Sequence, residues 1–374
     1  MCSIMGYCGS GAAYGAFWRG FEKTLSRGPD ESRVVDTGNG LLGFHRLAIM
    51  GLTPAGMQPF VLDGSYAVCN GEIYGFEALK ARLSDKYTFT SGSDCEVLLP
   101  MYREYGTDMF AMLDAEFACI LYDGRTGTYI AARDPIGIRP LYYGYDENGT
   151  IVFASEPKNL VGLCPRIKPF PPGHYYKDGK FICYCDIANV SSVCSDDIDT
   201  VCQNIHDKLI AGVEKRLVAD AKVGFLLSGG LDSSCMVTEL CGQMSDPAQL
   251  HTFTTSYPGD ASCDEWYFAD LVNRACGCTG NQILPAPTDI EGQFENVVWH
   301  TEGLCGLSLL GVKALLEQVR SQGYKVVLNG QCGDELMLGY ERYYAFYFSW
   351  LLKTGRIRRL LREFPQAGRH SRLH

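Results

Sequence analysis

The sequence predicts two halves of different fold class, an α+β half followed by an α/β half. Up to about residue 185, short apolar or alternating runs are separated by glycine, asparagine and aspartate, which is the pattern of antiparallel strands. From about residue 220, strand-like runs alternate with helix-like runs, which is the pattern of a parallel sheet. The length of 374 residues also favours two domains.

The first half is predicted to consist of stacked antiparallel sheets with helices outside them. One run, EVLLPMYREYG, has the spacing of a helix. The runs with the composition of strands are GLLGFHRLAI, SYAVCNGEIYGF, FACILYD, GTYIAARD, TIVFASE and GHYYKDGKFICY.

A polar, turn-rich linker is predicted near residues 186–198, which gives domains at 2–190 and 200–374. The helix-like run IDTVCQNIHDKLIAGVEKRL follows the linker. The second half then contains the predicted strands KVGFLL, LHTFTTSY and YKVVLNG, with the predicted helices SSCMVTELCGQM and GVKALLEQVRSQG between them.

Composition excludes several classes of function. A net charge of -10 disfavours a nucleic-acid binder, which needs a cationic face. The 17 cysteines include no C-x-x-C pair, so a zinc site is not expected, and we interpret most of them as reduced packing residues. There is no apolar run of about 18 residues and no export signal. We therefore expect a cytoplasmic protein that binds neither membranes nor nucleic acids.

The strand-like run VGFLL leads into a loop of small residues, Ser228, Gly229, Gly230, Leu231, Asp232, Ser233 and Ser234. Small residues let a phosphate chain approach, and backbone N–H groups at a helix N-terminus bind it. Asp232 would repel phosphate unless a cation lies between them, so we interpret it as an Mg²⁺ ligand. The structural alternative is a glycine turn with a helix cap.

A second acidic cluster follows the last strand-like run, in VVLNGQCGDELMLGY. It places Asn329, Gly330 and Asp334 where a strand meets a helix. Since parallel strands end at one edge of a sheet, Asp334 is expected to face Asp232 across one Mg²⁺-pyrophosphate. Glu335 alone is equally well explained as an acidic residue in the first turn of a helix.

Cysteine occupies position 2, directly after the initiator methionine. Removal of Met1 would leave Cys2 with a free α-amine beside its thiol. An α-amine has a pKa of about 8, so it can serve as general base for that thiol without a histidine. For an isolated cysteine at this position, the structural alternative of a small, tolerated residue would be preferred.

Further polar residues complete a site for an α-amino acid with an acyl side chain, which glutamine fits. Arg46 is a candidate clamp for the α-carboxylate. The Asn70 amide and the Gly71 N–H are candidate oxyanion donors, and Glu72 and Asp94 are candidate partners of the ammonium group. Their structural alternatives are a surface ion pair for Arg46, a hairpin turn at residues 70–71 and a helix cap at Asp94.

The loop at residues 228–234 resembles the pyrophosphate loop of ATP pyrophosphatases, and the chain as a whole resembles glutamine-hydrolysing asparagine synthetases. The resemblance implies an αββα amino-terminal-nucleophile sandwich followed by an incomplete parallel-sheet ATP-pyrophosphatase domain. The stretches that carry it, in the family's order, are MCSIMGY, RGPDES, HRLAI, GMQPF, NGEIY, SDCEVL, ARDPIGIRPLYYG, FASEPKNL, PPGHYY, LLSGGLDSS and NGQCGDELMLGY.

The resemblance also implies residue roles. Cys2 would form a glutamyl thioester, and ammonia would pass along an internal path to the second domain, where ATP activates aspartate as β-aspartyl-AMP. Asp232 and Asp334 would bind Mg²⁺. Glutamine would be held by Arg46, Asn70, Gly71, Glu72 and Asp94. The ATP site would comprise Leu226, Ser228, Gly229, Gly230, Leu231, Asp232, Ser233, Ser234, Thr255, Asn329 and Gly330.

Three features depart from the family pattern. Ser3 replaces a glycine next to the nucleophile and is expected to crowd a turn there. Gln331 replaces a glutamate and cannot act as a base. Family members also run well beyond the end of this sequence, which contains neither the remaining helical part of the synthetase domain nor a lysine that the family places near the phosphates.

The predicted function is therefore ATP-dependent amidation of aspartate to asparagine, with glutamine as nitrogen donor and ATP and Mg²⁺ as cofactors. Two alternatives stay open. One is an amidotransferase of the same architecture that acts on another carboxylate, and the other is a glutaminase-only or regulatory protein with a decayed synthetase half. A homodimer also stays open.

Overall fold

The computed structural model describes residues 1–11, 14–190, 192–260, 262–285, 290–303, 306 and 308–370. Compactness divides the chain into two units. The first comprises Met1–Lys222 with Asp289–Leu309, and the second comprises Val223–Thr288 with Leu310–His374. The predicted domain bounds, 2–190 and 200–374, stay predictions.

The strands are β1 Ser3–Tyr7, β2 Glu31–Asp36, β3 Leu41–Arg46, β4 Phe60–Leu62, β5 Ser65–Ile73, β6 Ala115–Asp123, β7 Thr128–Arg133, β8 Tyr142–Tyr145, β9 Ile151–Ala154, β10 Ile167–Pro169, β11 His174–Lys177, β12 Lys180–Cys183, β13 Val223–Leu226, β14 His251–Thr255, β15 Thr279–Ile283 and β16 Val326–Asn329.

The helices are α1 Tyr14–Glu22, α2 Phe76–Leu83, α3 Leu98–Tyr105, α4 Met109–Met112, α5 Pro157–Leu160, α6 Ile198–Arg216, α7 Leu231–Gln243, α8 Trp266–Cys276, α9 Ile290–Thr301, α10 Ser308–Ser321, α11 Gly333–Met337, α12 Arg342–Lys353 and α13 Ile357–His370. Among the described residues, none of these is both long and apolar enough to cross a membrane.

Two antiparallel six-stranded sheets form the first unit, in the orders β10-β8-β9-β1-β3-β2 and β12-β11-β7-β6-β5-β4. Their facing sides share one core, in which Ile4 and Phe153 of the first sheet pack with Ile120 of the second. Phe17 of α1 packs on the outer side of the first sheet, and Leu98 of α3 packs on the outer side of the second. This arrangement confirms the predicted αββα sandwich.

A four-stranded parallel sheet forms the second unit, in the order β15-β14-β13-β16. Phe253 of this sheet packs against Leu315 and Val319 of α10. The chain moves outward from β13 through β14 to β15 and then returns to the other side of β13. Ligands bind open α/β sheets where the strand order reverses in this way, at the carboxyl ends of the strands. That point lies between β13 and β16.

Candidate active sites

Cys2 directly precedes β1 and is held at both its thiol and its backbone. The N–H of Leu47, at the end of β3, donates to the Cys2 Sγ at 3.3 Å, and the Cys2 thiol donates to the Leu47 carbonyl at 3.5 Å. The Nε of Arg27 donates to the Cys2 carbonyl at 3.0 Å. The sulfur is therefore held at the backbone of Leu47, the residue that follows Arg46 in the sequence.

The expected crowding at Ser3 does not occur. Ser3 begins β1 rather than a turn, and its fully buried hydroxyl donates to Thr24 Oγ1 at 2.8 Å. A buried hydroxyl with a hydrogen-bond partner is readily accommodated.

The environment of Cys2 favours the neutral thiol in the resting protein. Burial raises the pKa of the Cys2 thiol, although the Leu47 N–H and the nearby α-amino charge oppose this. Burial also lowers the pKa of the Met1 α-amino group to about 6. The lowered pKa favours the unprotonated form of the Met1 amine.

Asn70 and Gly71 lie inside β5, so the hairpin alternative does not apply to them. Asn70 is 1% exposed, and among the described residues its Nδ2 has no hydrogen-bond partner. A Cβ at position 71 would lie 2.5 Å from the carbonyl oxygen of Glu116 on the paired strand β6, so only glycine fits there. A buried amide donor without a partner is rare in folded proteins and is available to a ligand oxygen.

Glu72 and Asp94 meet at one pocket of about 200 Å³. Burial, reinforced by Asp94, raises the pKa of Glu72 to about 8, and Arg139 opposes this rise. Burial also raises the pKa of Asp94, although its carboxylate accepts the Ile73 N–H at 2.7 Å. The Asp94 side chain thus binds the end of β5, and its backbone begins a 3-10 turn. Two such carboxyl groups would be stabilised in the ionised form by an ammonium group.

Arg46 is 6% exposed, and its Nη1 lies 4.0 Å from Oε2 of the partly exposed Glu31. Its Nη1 donates to the Thr53 carbonyl at 3.0 Å, and its Nη2 donates to the Gly51 carbonyl. Gly51 is itself fixed, because its N–H donates to Asp220 Oδ2 at 2.7 Å. The guanidinium therefore holds the loop that follows β3, and its role as a carboxylate clamp stays a prediction.

Sequence reasoning missed Arg139. Its Nη2 donates to Glu116 at 3.0 Å, and the Tyr74 hydroxyl donates to the same Glu116 oxygen at 2.9 Å. The loop that carries Arg139 is organised by buried Asp134, whose carboxylate accepts the backbone N–H of Arg139 at 3.0 Å. The stretch ARDPIGIRPLYYG contains this signal, because an aspartate before a Pro-Ile-Gly turn is suited to gather backbone N–H groups.

The loop after β13 in the second unit is held by serine hydroxyls. The Gly230 N–H donates to Ser228 Oγ at 3.2 Å, and the hydroxyls of Ser228 and Ser233 are 3.0 Å apart. Gly229 has a φ of 75°, and a Cβ there would lie 2.6 Å from the Cβ of Phe268. Glycine is required by both the backbone conformation and the close approach of α8.

A cleft of about 650 Å³ opens at the carboxyl ends of β13 and β16, where the strand order reverses. The predicted ATP-site residues that line it are Leu226, Ser228, Gly230, Leu231, Asp232, Ser233, Thr255, Asn329 and Gly330. Gly229 and Ser234 are absent from its lining; Gly229 shapes the loop, and Ser234 Oγ is buried without a partner among the described residues.

Asp232 and Asp334, the predicted metal ligands, both line this cleft. A Cβ at Gly333 would overlap the Asp232 carboxylate, and a Cβ at Gly339 would overlap that of Asp334. Glycine thus leaves space around both carboxylates. Within the described parts of the chain, no group of three or more His, Cys, Asp or Glu side chains could hold a metal. Two carboxylates suit Mg²⁺, which takes its remaining ligands from phosphate and water.

Gln331 and Glu265 also line the cleft, and sequence reasoning assigned no role to Glu265. Burial raises the pKa of Glu265. A single carboxylate just before a helix has no distinctive sequence pattern, so only the structure reveals it.

Relatives of this chain include asparagine synthetase B, glutamine-hydrolysing, of Escherichia coli, which is 34% identical over 84% of this chain and 59% of its own length. A probable glutamine-hydrolysing asparagine synthetase of Schizosaccharomyces pombe is 34% identical over 84% of this chain and 60% of its own. The amidase chry2 of Gibberella zeae is 32% identical over 85% of this chain and 54% of its own length. The chain spans little more than half the length of these relatives.

Residues 1–176 match the glutamine amidotransferase domain family, and residues 204–373 match the asparagine synthase family. The fold and these matches define the class, a glutamine amidotransferase domain built as an αββα sandwich, followed by an asparagine synthase domain with a parallel sheet. The chain belongs to the asparagine synthetase family and combines these two domains.

Proposed function

We propose that this chain hydrolyses glutamine in its first unit and uses the ammonia to amidate aspartate, activated by ATP, in its second unit. The observation that carries the proposal is the buried Asn70 amide, whose Nδ2 has no partner among the described residues. Most buried side-chain amide donors in folded proteins have a partner. An oxyanion formed near Cys2 would supply one.

In the first reaction, the Cys2 sulfur attacks the side-chain amide carbon of glutamine. We infer that Met1 is removed, so that the α-amine of Cys2 takes the thiol proton and passes it to the departing ammonia. Asn70 and Gly71 stabilise the oxyanion, while Glu72 and Asp94 bind the substrate ammonium. Water then hydrolyses the glutamyl thioester and releases glutamate.

In the second reaction, the loop at residues 228–234 binds the phosphates of ATP. The β-carboxylate of aspartate attacks the α-phosphorus, and pyrophosphate leaves. Ammonia then attacks the β-aspartyl-AMP carbonyl and displaces AMP, giving asparagine. Asp232 and Asp334 would hold Mg²⁺, which neutralises phosphate charge when bound. Since Gln331 cannot accept a proton, we propose that Glu265 takes the proton from the attacking nitrogen.

A second candidate function is amidation of a carboxylate other than aspartate. It is favoured by the relative from Gibberella zeae, which is named an amidase rather than an asparagine synthetase although it matches as much of this chain as the asparagine synthetases do. The amidotransferase site and the ATP loop would be the same in both cases, and only the acceptor would differ.

Pyrophosphate exchange tests the acceptor. The chain is incubated with Mg²⁺, ATP, labelled pyrophosphate and single carboxylic acids, and label entering ATP is measured. Exchange that requires aspartate supports asparagine synthesis, whereas exchange driven only by another acid selects the second candidate. Asp232→Asn and Asp334→Asn should weaken exchange and raise the Mg²⁺ requirement, while Cys2→Ala should leave exchange intact.

The acidic composition and the many thiols support a cytoplasmic location, where such thiols stay reduced. We also propose a homodimer, which sedimentation of the purified chain tests directly.

A further inference from the structure

Lys158 is a buried lysine in a network of charges outside both sites. The residue is 7% exposed, and its Nζ lies 2.8 Å from Glu156 Oε2 and 3.2 Å from Glu302 Oε1. A buried ammonium is unfavourable unless it is paired and hydrogen-bonded. The position of Glu302 is therefore tied to that of Lys158.

The network continues from Glu156 to the nucleophile. The other Glu156 oxygen, Oε1, accepts a hydrogen bond from Arg27 Nη1, and Arg27 Nε donates to the Cys2 carbonyl at 3.0 Å. Glu156 is itself fixed by a capping box with Asn159 at the start of α5. Alternating charges thus run from the Cys2 backbone through Arg27, Glu156 and Lys158 to Glu302.

At the end opposite Cys2, the charge network contacts α9 through Lys158. The Lys158 ammonium donates to the Trp299 carbonyl and lies 4.6 Å from the centroid of the Trp299 ring. Glu302, just past the helix, has a φ of 60°, a left-handed conformation that is unfavourable for a residue with a side chain. Such backbone strain persists where surrounding contacts impose it. A left-handed residue is also a common way to end a helix, and the ion pair with Lys158 is one contact that Glu302 makes there.

In the sequence, α9 lies between two elements of the second unit. α9 belongs to the first compact unit, but it lies between β15 and α10 in the sequence. Val312 and Leu315 of α10 line the nucleotide cleft. A helix that contacts the glutaminase machinery is thus joined directly in the sequence to a helix that forms a wall of that cleft.

We propose that Lys158 is a positioning residue, which holds α9 in place and through Glu156 and Arg27 fixes the backbone of Cys2 for attack on glutamine. This inference rests on the proposed glutaminase reaction. Lys158 does not touch the substrate, so its loss should impair the orientation of the nucleophile rather than the binding of glutamine.

The test compares Lys158→Met with Lys158→Arg and Lys23→Met. Lys23 is the matched control, because its Nζ binds the Lys158 carbonyl at 2.8 Å and the Val161 carbonyl at 3.1 Å but is outside the charge network. For Lys158→Met we expect kcat for glutamine hydrolysis to fall about 10- to 100-fold, since small displacements of a reacting group have such effects, with KM within about twofold. Lys158→Arg should restore most of kcat, and Lys23→Met should resemble the wild type.

Equal kcat values for Lys158→Met and the wild type would overturn the inference, as would a rise in KM alone. If Lys158→Met does not fold, Glu302→Gln takes its place, because it removes the outer charge at a partly exposed position. A wild-type chain with no glutaminase activity would instead contradict the proposed function. Ammonia-dependent pyrophosphate release should be unchanged in every variant. This control distinguishes a local effect on Cys2 from unfolding of the protein.

Discussion

The N–H of Leu47 donates a hydrogen bond to the Cys2 Sγ at 3.3 Å, and Leu47 is the neighbour of Arg46. The end of β3 therefore positions both the proposed nucleophile and the proposed carboxylate clamp. With Asn70, Gly71 and Glu72 at the end of β5, the two sheets of the sandwich each supply one side of the proposed glutamine site. This division of roles leads to the following predictions.

Asn70→Ala should lower kcat for glutamine hydrolysis by about 10²- to 10³-fold, the usual effect of losing one oxyanion donor. The effect should be on kcat rather than KM, because the donor acts on charge that develops during reaction. Steady-state glutaminase kinetics measure both, with the exposed Asn148→Ala as control. Unchanged kcat would exclude Asn70 as an oxyanion donor.

Glutamine binding should release protons near neutral pH. Free Glu72 has a pKa raised to about 8 and is largely protonated at pH 7. A bound ammonium favours the ionised form, so binding expels a proton, and affinity should rise with pH between about 6 and 8. Calorimetry of Cys2→Ala in buffers of different ionisation enthalpy measures the release. Glu72→Gln should abolish it, and absence of release from the parent would contradict an ammonium site at Glu72.

Gly229→Ala should destabilise the nucleotide loop and abolish the increase in Tm that Mg-ATP produces. The left-handed backbone alone costs about 1–2 kcal/mol for alanine, and the added Cβ would lie 2.6 Å from Phe268. The matched control is Gly242→Ala in α7, where a Cβ meets nothing within 4 Å. It should raise stability by about 0.5–1 kcal/mol through helix propensity. Thermal unfolding distinguishes them, and a nucleotide response retained in Gly229→Ala would count against this loop.

Glu265→Gln should reduce ammonia-dependent amide formation by about 10²-fold or more, the range for loss of a general base. Glutamine hydrolysis by the same variant is the internal control and should not change. Pyrophosphate exchange should also persist, because the proton is removed after activation of the carboxylate. Amide formation at the wild-type rate would show that another group accepts the proton.

The sequence was sufficient to predict ten of the sixteen strands in the three sheets and most of the cleft, because those signals are local. VGFLL followed by small residues predicts β13 and its loop, and VVLNG predicts β16. β15 was missed, since Thr279–Ile283 is mostly polar and lacks the apolar run of a buried strand. The residue types and their order also predicted that Cys2, Asn70 and Asp94 belong to one site, and this assignment stays a prediction.

The remaining features depend on pairing between distant residues. Arg27 meets Glu156 across 129 positions, and Lys158 meets Trp299 across 141. No local pattern predicts such contacts. Neither the loop carbonyls bound by Arg46 nor the place of Glu265 in the cleft could be inferred without the fold.

Transfer of isotope from glutamine tests the central claim most directly. The intact chain is supplied with glutamine labelled with ¹⁵N in its side-chain amide, together with aspartate and Mg-ATP, and products are analysed by mass spectrometry. The account predicts ¹⁵N-asparagine, formed with AMP and pyrophosphate and lost in both Cys2→Ala and Asp232→Asn. Labelled ammonia and glutamate without any aspartate-dependent pyrophosphate would contradict it.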